Sequence, residues 1–184
     1  MAVESSLRAT ATFAAAALGL LLLAACSGMD PKSPAAADQI GNLQAPLRGV
    51  GSAATGKIVV VDYPDGIVLT LDISNLRQGT YRLAFHANPV CNSPRGESAG
   101  PPWGPPNATT APGELIPVVY AGQAGQVSFS ARIPGVHIDR EPSLRGRSIV
   151  LHEGPFVDSP LPGMPNNYIA CGVFEDLPRG FFNQ

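Results

Sequence analysis

The sequence is poor in charge and in histidine, and both shortages narrow what the chain can do. Charged residues make up 14% of the 184 residues and the formal net charge is −2, whereas a nucleic-acid-binding domain is expected to carry a basic patch. Only three His are present, so a His-rich metal centre has few candidate ligands. The chain also contains no P-loop, no Gly-x-Ser-x-Gly elbow and no dinucleotide-binding fingerprint. These absences argue against nucleic-acid binding and against the nucleotide-dependent and serine-hydrolase chemistries that those motifs mark.

Glycine and proline, in contrast, are abundant. The 20 Gly and 19 Pro disfavour helix interiors, and no segment shows a helical apolar stripe. Short segments rich in β-branched or alternating apolar residues are separated by turn residues, which is typical of a β-sandwich or barrel. The predicted strands are residues 57–63, 67–73, 81–86, 127–133 and 148–151. The length and these patterns predict one all-β domain.

The N-terminal segment predicts export and lipid attachment. Residues 1–25 contain Arg8 followed by an apolar stretch shorter than the roughly 20 residues of a membrane span, and they fit a secretory signal peptide. The stretch ends in Leu-Ala-Ala-Cys at residues 23–26, which resembles the bacterial lipobox. That resemblance implies cleavage before Cys26, lipid attachment to Cys26 and, from the following Ser27, an outer-membrane protein that faces the periplasm. An ordinary signal peptide with a chance cysteine is the alternative.

The sequence predicts a flexible tether over residues 26–44 and a folded domain over residues 45–184. The tether is small and polar, with two prolines and a run of three alanines, and it lacks apolar periodicity. A flexible segment of about eighteen residues has a root-mean-square reach of roughly 25 Å. The folded domain is therefore expected to stay close to the membrane without being inserted in it.

A proline-rich segment and two cysteines form a further unusual feature. Residues 89–113 contain seven prolines and no hydrophobic alternation, and loops of this length are usually functional or pinned. With Cys26 assigned to lipid, Cys91 and Cys171 have only each other as partners, and a disulfide is the simplest pairing in an oxidising compartment. Two free thiols acting as metal ligands are the alternative, although they lack the paired spacing of a zinc site.

Several short motifs follow one another in a fixed order between about residues 51 and 174. They are the strand and loop at Gly66–Leu76, Ala84-Phe-His-Ala-Asn-Pro-Val-Cys91, Ser98-Ala-Gly100, Gly113-Glu-Leu115, Gly146-Arg-Ser-Ile-Val-Leu-His152 and Ala170-Cys-Gly-Val173. In this order and spacing they resemble the copper/zinc superoxide dismutase family in its bacterial secreted form. The resemblance implies an eight-stranded Greek-key β-barrel with a long disulfide-tied loop over one end.

The resemblance implies that two copper ligands remain. They are His86, at the second position of the family's His-x-His motif, and His152, whereas Ala84 stands at the first position of the motif. Copper(II) favours several imidazoles in tetragonal geometry. Two His would therefore hold copper weakly, with water, Glu114 or Glu153 completing the ligand set. The alternative is that both His are leftovers that hydrogen-bond in a polar pocket at the barrel surface.

By the same resemblance, a zinc site of the family type is predicted to be absent. The bridging His corresponds to Pro102 and the last zinc His to Ala111, and another zinc His has no counterpart. The zinc Asp corresponds to Glu114, which alone cannot supply the four ligands that zinc requires. The acidic position after the copper His is occupied by Phe156, and Asp158 lies nearby but is displaced.

These replacements determine the expected function. Dismutation requires copper to cycle between two oxidation states, and in the family a bridging imidazole takes part while an Arg draws the anion inward. Pro102 and Tyr168 stand at those two positions. We therefore expect a superoxide dismutase-like envelope lipoprotein without family-level dismutase activity that acts as a binding or structural module. A weak copper-binding protein using His86 and His152 and a residual copper-dependent dismutase are the alternatives, and the sequence identifies no protein partner.

Two further residues stand out. His137 matches no ligand position of the family and is expected to be a solvated loop residue. Trp103 lies between two Pro-Pro pairs in the proline-rich segment, and it is expected to plug the vacant metal pocket. The alternative is that Trp103 presents an aromatic anchor to a partner. The prolines themselves are expected to keep the loop ordered without zinc.

Overall fold

Nine β-strands make up about half of the part of the chain that the computed structural model describes, which is residues 39–110, 114–154 and 167–177. These residues all belong to one unit of the chain, Pro34–Gln184. The strands are β1 (Gly41–Gly49), β2 (Thr55–Tyr63), β3 (Gly66–Ser74), β4 (Gly79–His86), β5 (Val119–Ala121), β6 (Val127–Pro134), β7 (Ser148–Glu153), β8 (Tyr168–Val173) and β9 (Glu175–Asp176).

Several features named from the sequence lie outside the described residues. They are the signal peptide, Cys26, most of the tether, Ala111, Phe156 and Asp158. Within the described residues, no helix is long and apolar enough to cross a membrane. A short 3₁₀ turn occurs at Glu97–Ala99, in the proline-rich loop.

All strand pairs are antiparallel, and eight strands follow one another around a nearly closed barrel. The hydrogen-bonded order is β5-β4-β7-β8-β1-β2-β3-β6, and the short β9 pairs with β1. Three neighbouring pairs, β4 with β7, β8 with β1 and β3 with β6, are not consecutive in the chain, as expected of Greek-key connections. The prediction of an all-β Greek-key barrel is confirmed.

Period-two alternation directs one face of β3 into the barrel core. In β3, Leu69 and Leu71 are fully buried, whereas Thr70 and Asp72 are exposed on the other face. The five strands predicted from the sequence correspond to β2, β3, β4, β6 and β7 and lie within the observed bounds. Runs of β-branched residues or alternation of apolar and polar residues were therefore sufficient to locate these five strands.

Strand β1 corrects the predicted boundary between tether and domain. Residues 41–44, assigned to the tether, form the first half of β1, which pairs with β2 along nearly its whole length. The inward residues Leu43, Ala45 and Leu47 are no more than 1% exposed, but Pro46 between them disguises the strand, because proline lacks the N–H that a central strand uses. Pro46 is tolerated because it falls between the short stretches where β9 and β8 pair with β1.

A second, smaller hydrophobic cluster holds the proline-rich loop against the outer face of β7 and β8. Ala99 from the loop, Val150 from β7 and Cys171 from β8 are buried there, and Tyr168 and Cys91 pack against them. Cys91 and Cys171 are joined by a disulfide with a Cα–Cα distance of 5.8 Å. The predicted pairing is confirmed, and it ties the loop to a strand 80 residues away.

Replacing both cysteines by serine should destabilise the domain. A crosslink that closes a loop of this length removes about 4–5 kcal/mol of denatured-state entropy in the chain-entropy model. We therefore expect the free energy of unfolding, measured by denaturant titration with circular dichroism, to fall by several kcal/mol. Reduction of the wild-type protein should produce a similar loss, and the same reductant should not affect the double variant. An unchanged denaturation midpoint would contradict this assignment.

Candidate metal site

The register of β4 and β7 brings two of the three histidines to the outer face of the barrel. His86 ends β4 opposite Ser148, and His152 lies four residues further along β7. The row between them pairs Ala84 with Val150. Because the side chain at position 84 is only a methyl group, the two imidazoles can lean toward each other over it. The proline-rich loop covers this face, and both histidines are fully buried.

The two imidazole rings meet end to end. Nε2 of His86 lies 3.2 Å from Nε2 of His152. The ring centroids are 5.4 Å apart and the ring planes differ by 21°. The two nitrogens therefore lie between the ring centres, and the rings are nearly coplanar instead of stacked face to face.

The partners of the two Nδ1 atoms determine which ring nitrogens carry hydrogen. Nδ1 of His86 lies 2.8 Å from the carbonyl oxygen of Gly100, which is an acceptor, so Nδ1 must donate. Nδ1 of His152 lies 3.2 Å from Oδ1 of Asn167. The Asn167 amide is oriented by its Nδ2, which donates to the Glu153 carbonyl at 2.8 Å. The Gly100 carbonyl therefore fixes Nδ1–H on His86, whose neutral ring keeps its lone pair on Nε2, and the Asn167 amide oxygen favours Nδ1–H on His152.

Burial favours the neutral form of both imidazoles. It lowers the pKa of His86, and the hydrogen bond to Gly100 offsets this only in part. It lowers the pKa of His152 to about 4, with the Asn167 hydrogen bond acting in the opposite direction and His86 acting in the same direction. At neutral pH both rings are therefore neutral, and their Nε2 atoms lie within hydrogen-bond distance of each other.

The surroundings of the histidine pair are aromatic and apolar. The Tyr168 ring contacts His86 and His152 edge-on, with centroid distances of 5.5 and 4.7 Å. Burial raises the pKa of the Tyr168 hydroxyl, so a neutral ring occupies the position at which the resemblance implies a guiding Arg. Ser148, beside His86 in the register, has a buried Oγ without a hydrogen-bond partner in the described part of the chain.

The remaining candidate ligands do not join the two histidines. Among the residues that the structure describes, no group of three or more His, Cys, Asp or Glu is arranged to hold a metal ion. Glu114 is exposed, and the Glu153 carboxylate pairs with Arg77 at 2.8 Å. Pro102, at the bridging-His position, forms an isolated β-bridge with His86. The described donors are thus two imidazole nitrogens, which fit neither tetrahedral zinc nor tetragonal copper(II).

Sequence reasoning did not identify Gly100 and Asn167, which set the tautomers of the histidine pair. Gly100 acts through its main-chain carbonyl, and no side-chain motif marks such a role. Its φ is 76°, and a Cβ there would lie 2.6 Å from the Asn88 side chain, so the close approach of the loop requires glycine. Asn167 directly precedes β8, and its role depends on tertiary contacts that no local pattern reveals.

His137 is not the solvated residue that the sequence predicts. Its side chain is only 12% exposed, and Nδ1 lies 2.9 Å from Oδ1 of the buried Asp62. The other oxygen of Asp62 accepts a hydrogen bond from the Ile138 N–H, and the Arg140 guanidinium lies beside the ring. A buried carboxylate requires partners, and His137 is one of them. Asp62 is the single acidic residue in the apolar sequence of β2. Its position could have indicated a buried carboxylate that needs a partner such as His137.

Trp103 packs against the core and an arginine. Its ring contacts Phe85 edge-on with a centroid distance of 6.3 Å, and the guanidinium of Arg147 lies 3.9 Å from the ring centre. The main-chain N–H of Trp103 donates to the Phe85 carbonyl at 2.7 Å. These contacts fasten the proline-rich loop to β4. The aromatic ring that contacts the two histidines is that of Tyr168. Tyr168 therefore fills the pocket that the sequence predicted Trp103 to plug.

The sequence of this domain is similar to known proteins over most of its length. A family model described as copper/zinc superoxide dismutase matches residues 54–174. A superoxide dismutase [Cu-Zn] of Pasteurella multocida (strain Pm70) is 30% identical over 145 residues, which cover 68% of this chain and 76% of that protein. A superoxide dismutase [Cu-Zn] of Legionella pneumophila is 25% identical over 145 residues, which cover 73% of this chain and 87% of that protein.

Proposed function

This chain belongs to the copper/zinc superoxide dismutase family, and we propose that it serves in the cell envelope as a copper-binding module without the family's dismutase activity. The observation that carries the proposal is the end-to-end contact between Nε2 of His86 and Nε2 of His152. Two buried nitrogen atoms that point toward one another could bind an ion, but a dismutase needs a larger set of ligands.

The positions around the histidine pair support the loss of dismutase activity. Turnover needs access for an anion and a cation that attracts it, whereas both imidazoles are fully buried and the neutral Tyr168 ring lies against them. Pro102 stands where the family has a bridging imidazole, and a proline side chain supplies no ligand. We therefore expect neither efficient entry of superoxide nor the proton transfer that the bridging position provides.

The tautomer of His86 supports a role in copper binding. The Gly100 carbonyl accepts a hydrogen bond from Nδ1 of His86, so Nε2 of this neutral ring directs its lone pair toward Nε2 of His152. A structural or protein-binding module without metal is the remaining form of the proposal, and it predicts no copper uptake.

The roles of the individual residues follow from this arrangement. His86 and His152 would hold copper through Nε2, while Gly100 and Asn167 keep Nδ1 protonated and fix the ring orientations. Tyr168 excludes water from the pair. Copper, when bound, would place a positive charge beside the two nitrogen donors.

The cellular location is part of the proposal. The lipobox-like residues 23–26 support lipid attachment at Cys26, and Ser27 supports an outer-membrane position facing the periplasm. When the wild-type chain is expressed in a bacterium supplied with a labelled fatty acid, the chain should carry the label and be recovered in the membrane fraction. The Cys26→Ser variant should be unlabelled, and equal labelling of both chains would contradict the anchor.

The function is tested by dialysing the purified full-length protein against copper salts and assaying superoxide decay. We expect weak uptake that approaches one copper per chain at saturating copper and is lost in His86→Ala and in His152→Ala, because each removes one of the two described donors. His137→Gln is the matched control and should retain copper, and circular dichroism should confirm that each variant is folded.

Superoxide consumption by the copper-loaded protein should not exceed that of the histidine variants. Catalytic turnover that depends on His86 and His152 would establish residual dismutase activity and overturn the proposal. If the folded protein takes up no copper, the copper-binding proposal is wrong and the structural or protein-binding module without metal is the form that remains.

A further inference from the structure

We propose that two copies of this chain associate through the outer face of β2 and β3, around Val59, Val61 and Val68. In the proposed dimer a twofold axis runs parallel to the strands, above the line between β2 and β3. These strands lie between β1 and β6 in the sheet order. The histidine pair lies on β4 and β7, so this inference does not depend on the copper binding proposed above.

The sequence of β2 is the first observation. Residues 58–61 form an uninterrupted apolar run in which Ile58 and Val60 are fully buried in the core. Val59 and Val61 point to the opposite face and remain partly exposed. A strand with one solvated face normally alternates apolar and polar residues, whereas a continuous apolar run is typical of a strand covered on both faces. The outer side of β2 therefore has the composition of a surface that is covered in an assembly.

The strand register gathers the exposed valines into one patch. Val68 of β3 lies opposite Val61 and is also partly exposed. Thr70 of β3 lies opposite Val59. The neighbouring outward positions on the flanking strands are polar, and they are occupied by Asn42, Gln44, Ser130 and Arg132. An apolar centre within a polar rim is the usual anatomy of a protein–protein interface.

The charges around this patch favour a second protein copy over a lipid surface. Lys57 of β2 lies opposite Asp72 of β3, and the Arg132 guanidinium forms an ion pair with Asp65. Anionic membranes attract clusters of Lys and Arg, whereas here a carboxylate accompanies each of these two cations. A face that carries both signs in this way can complement itself.

The proposed twofold axis makes the face complementary to itself position by position. Because the axis is parallel to the strands, it places β2 of one copy over β3 of the other. Val61 then faces the partner's Val68, and Lys57 faces the partner's Asp72. Each of these contacts occurs twice, as in any isologous interface. Packed sheets lie about 10 Å apart with strand directions within about 30° of each other, a distance that the side chains of both copies can bridge.

The small apolar centre indicates a weak dimer. Interfaces at the low end of the size range form transient complexes. We therefore expect the dimer fraction to rise over a protein concentration range of about 1–100 µM. Sedimentation velocity of the purified full-length protein measures this fraction, in mild detergent that solvates the apolar stretch near the N-terminus.

Val61→Asp is the first test variant. It places a carboxylate in the apolar centre of each copy, and an unpaired charge is costly to bury, so dimerisation should weaken at least about tenfold. Val118→Asp is the matched control, because Val118 is 43% exposed and lies just before β5, outside this face. The control should dimerise as the wild type does, and circular dichroism should confirm that both variants are folded.

A charge exchange tests the orientation of the two copies. Lys57→Asp and Asp72→Lys each place like charges face to face across the interface, so each should weaken dimerisation. The double variant restores opposite charges both within and between chains, and it should return dimerisation to near the wild-type level. Failure of the double variant to recover would overturn the twofold arrangement.

The remaining outcomes contradict the interface itself. A protein that is monomeric at all these concentrations would overturn the proposal, and so would a dimer that withstands Val61→Asp. A monomer whose Cys26→Ser form binds vesicles of anionic phospholipid, and loses that binding in Val61→Asp, would assign the face to the bilayer instead.

Discussion

The Cys91–Cys171 disulfide is the constraint on which the outer face of the barrel depends. It holds a proline-rich loop over β7 and β8, with the small cluster around Val150 beneath it. The same loop carries the Gly100 carbonyl to His86. Trp103 fastens the loop a second time, between Phe85 and Arg147. Without this cover the two imidazoles would be solvated, and neither their tautomers nor their lowered pKa values would follow.

The replaced ligand positions change the site instead of leaving it empty. Ala84 gives the two remaining imidazoles the space to meet, and Tyr168 closes over them where the family resemblance implies a cation. The donors that the described residues bring together are two imidazole nitrogens, so family membership alone does not establish the activity of this chain.

Much of the fold could be predicted from the sequence, but the decisive contacts of the site could not. The alternation in β3 and β6 is visible because each strand has one clear apolar face, whereas Pro46 disguises β1 and the three residues of β5 are too few to show a period. His86 and His152 were identified through the family resemblance. Their end-to-end contact depends on strand register and on a backbone carbonyl, which local sequence does not encode. The burial of His137 likewise depends on a partner 75 residues away.

The proposed copper binding requires both Nε2 atoms to direct lone pairs toward each other in the metal-free protein. Nitrogen-15 NMR of the imidazole side chains at neutral pH, after removal of metals with a chelator, tests it directly. The account predicts that in both His86 and His152 the Nδ1 nitrogen is protonated and the Nε2 nitrogen is not. A hydrogen on Nε2 of either ring would contradict it, because the pair would then be an internally satisfied hydrogen bond with no need of a cation.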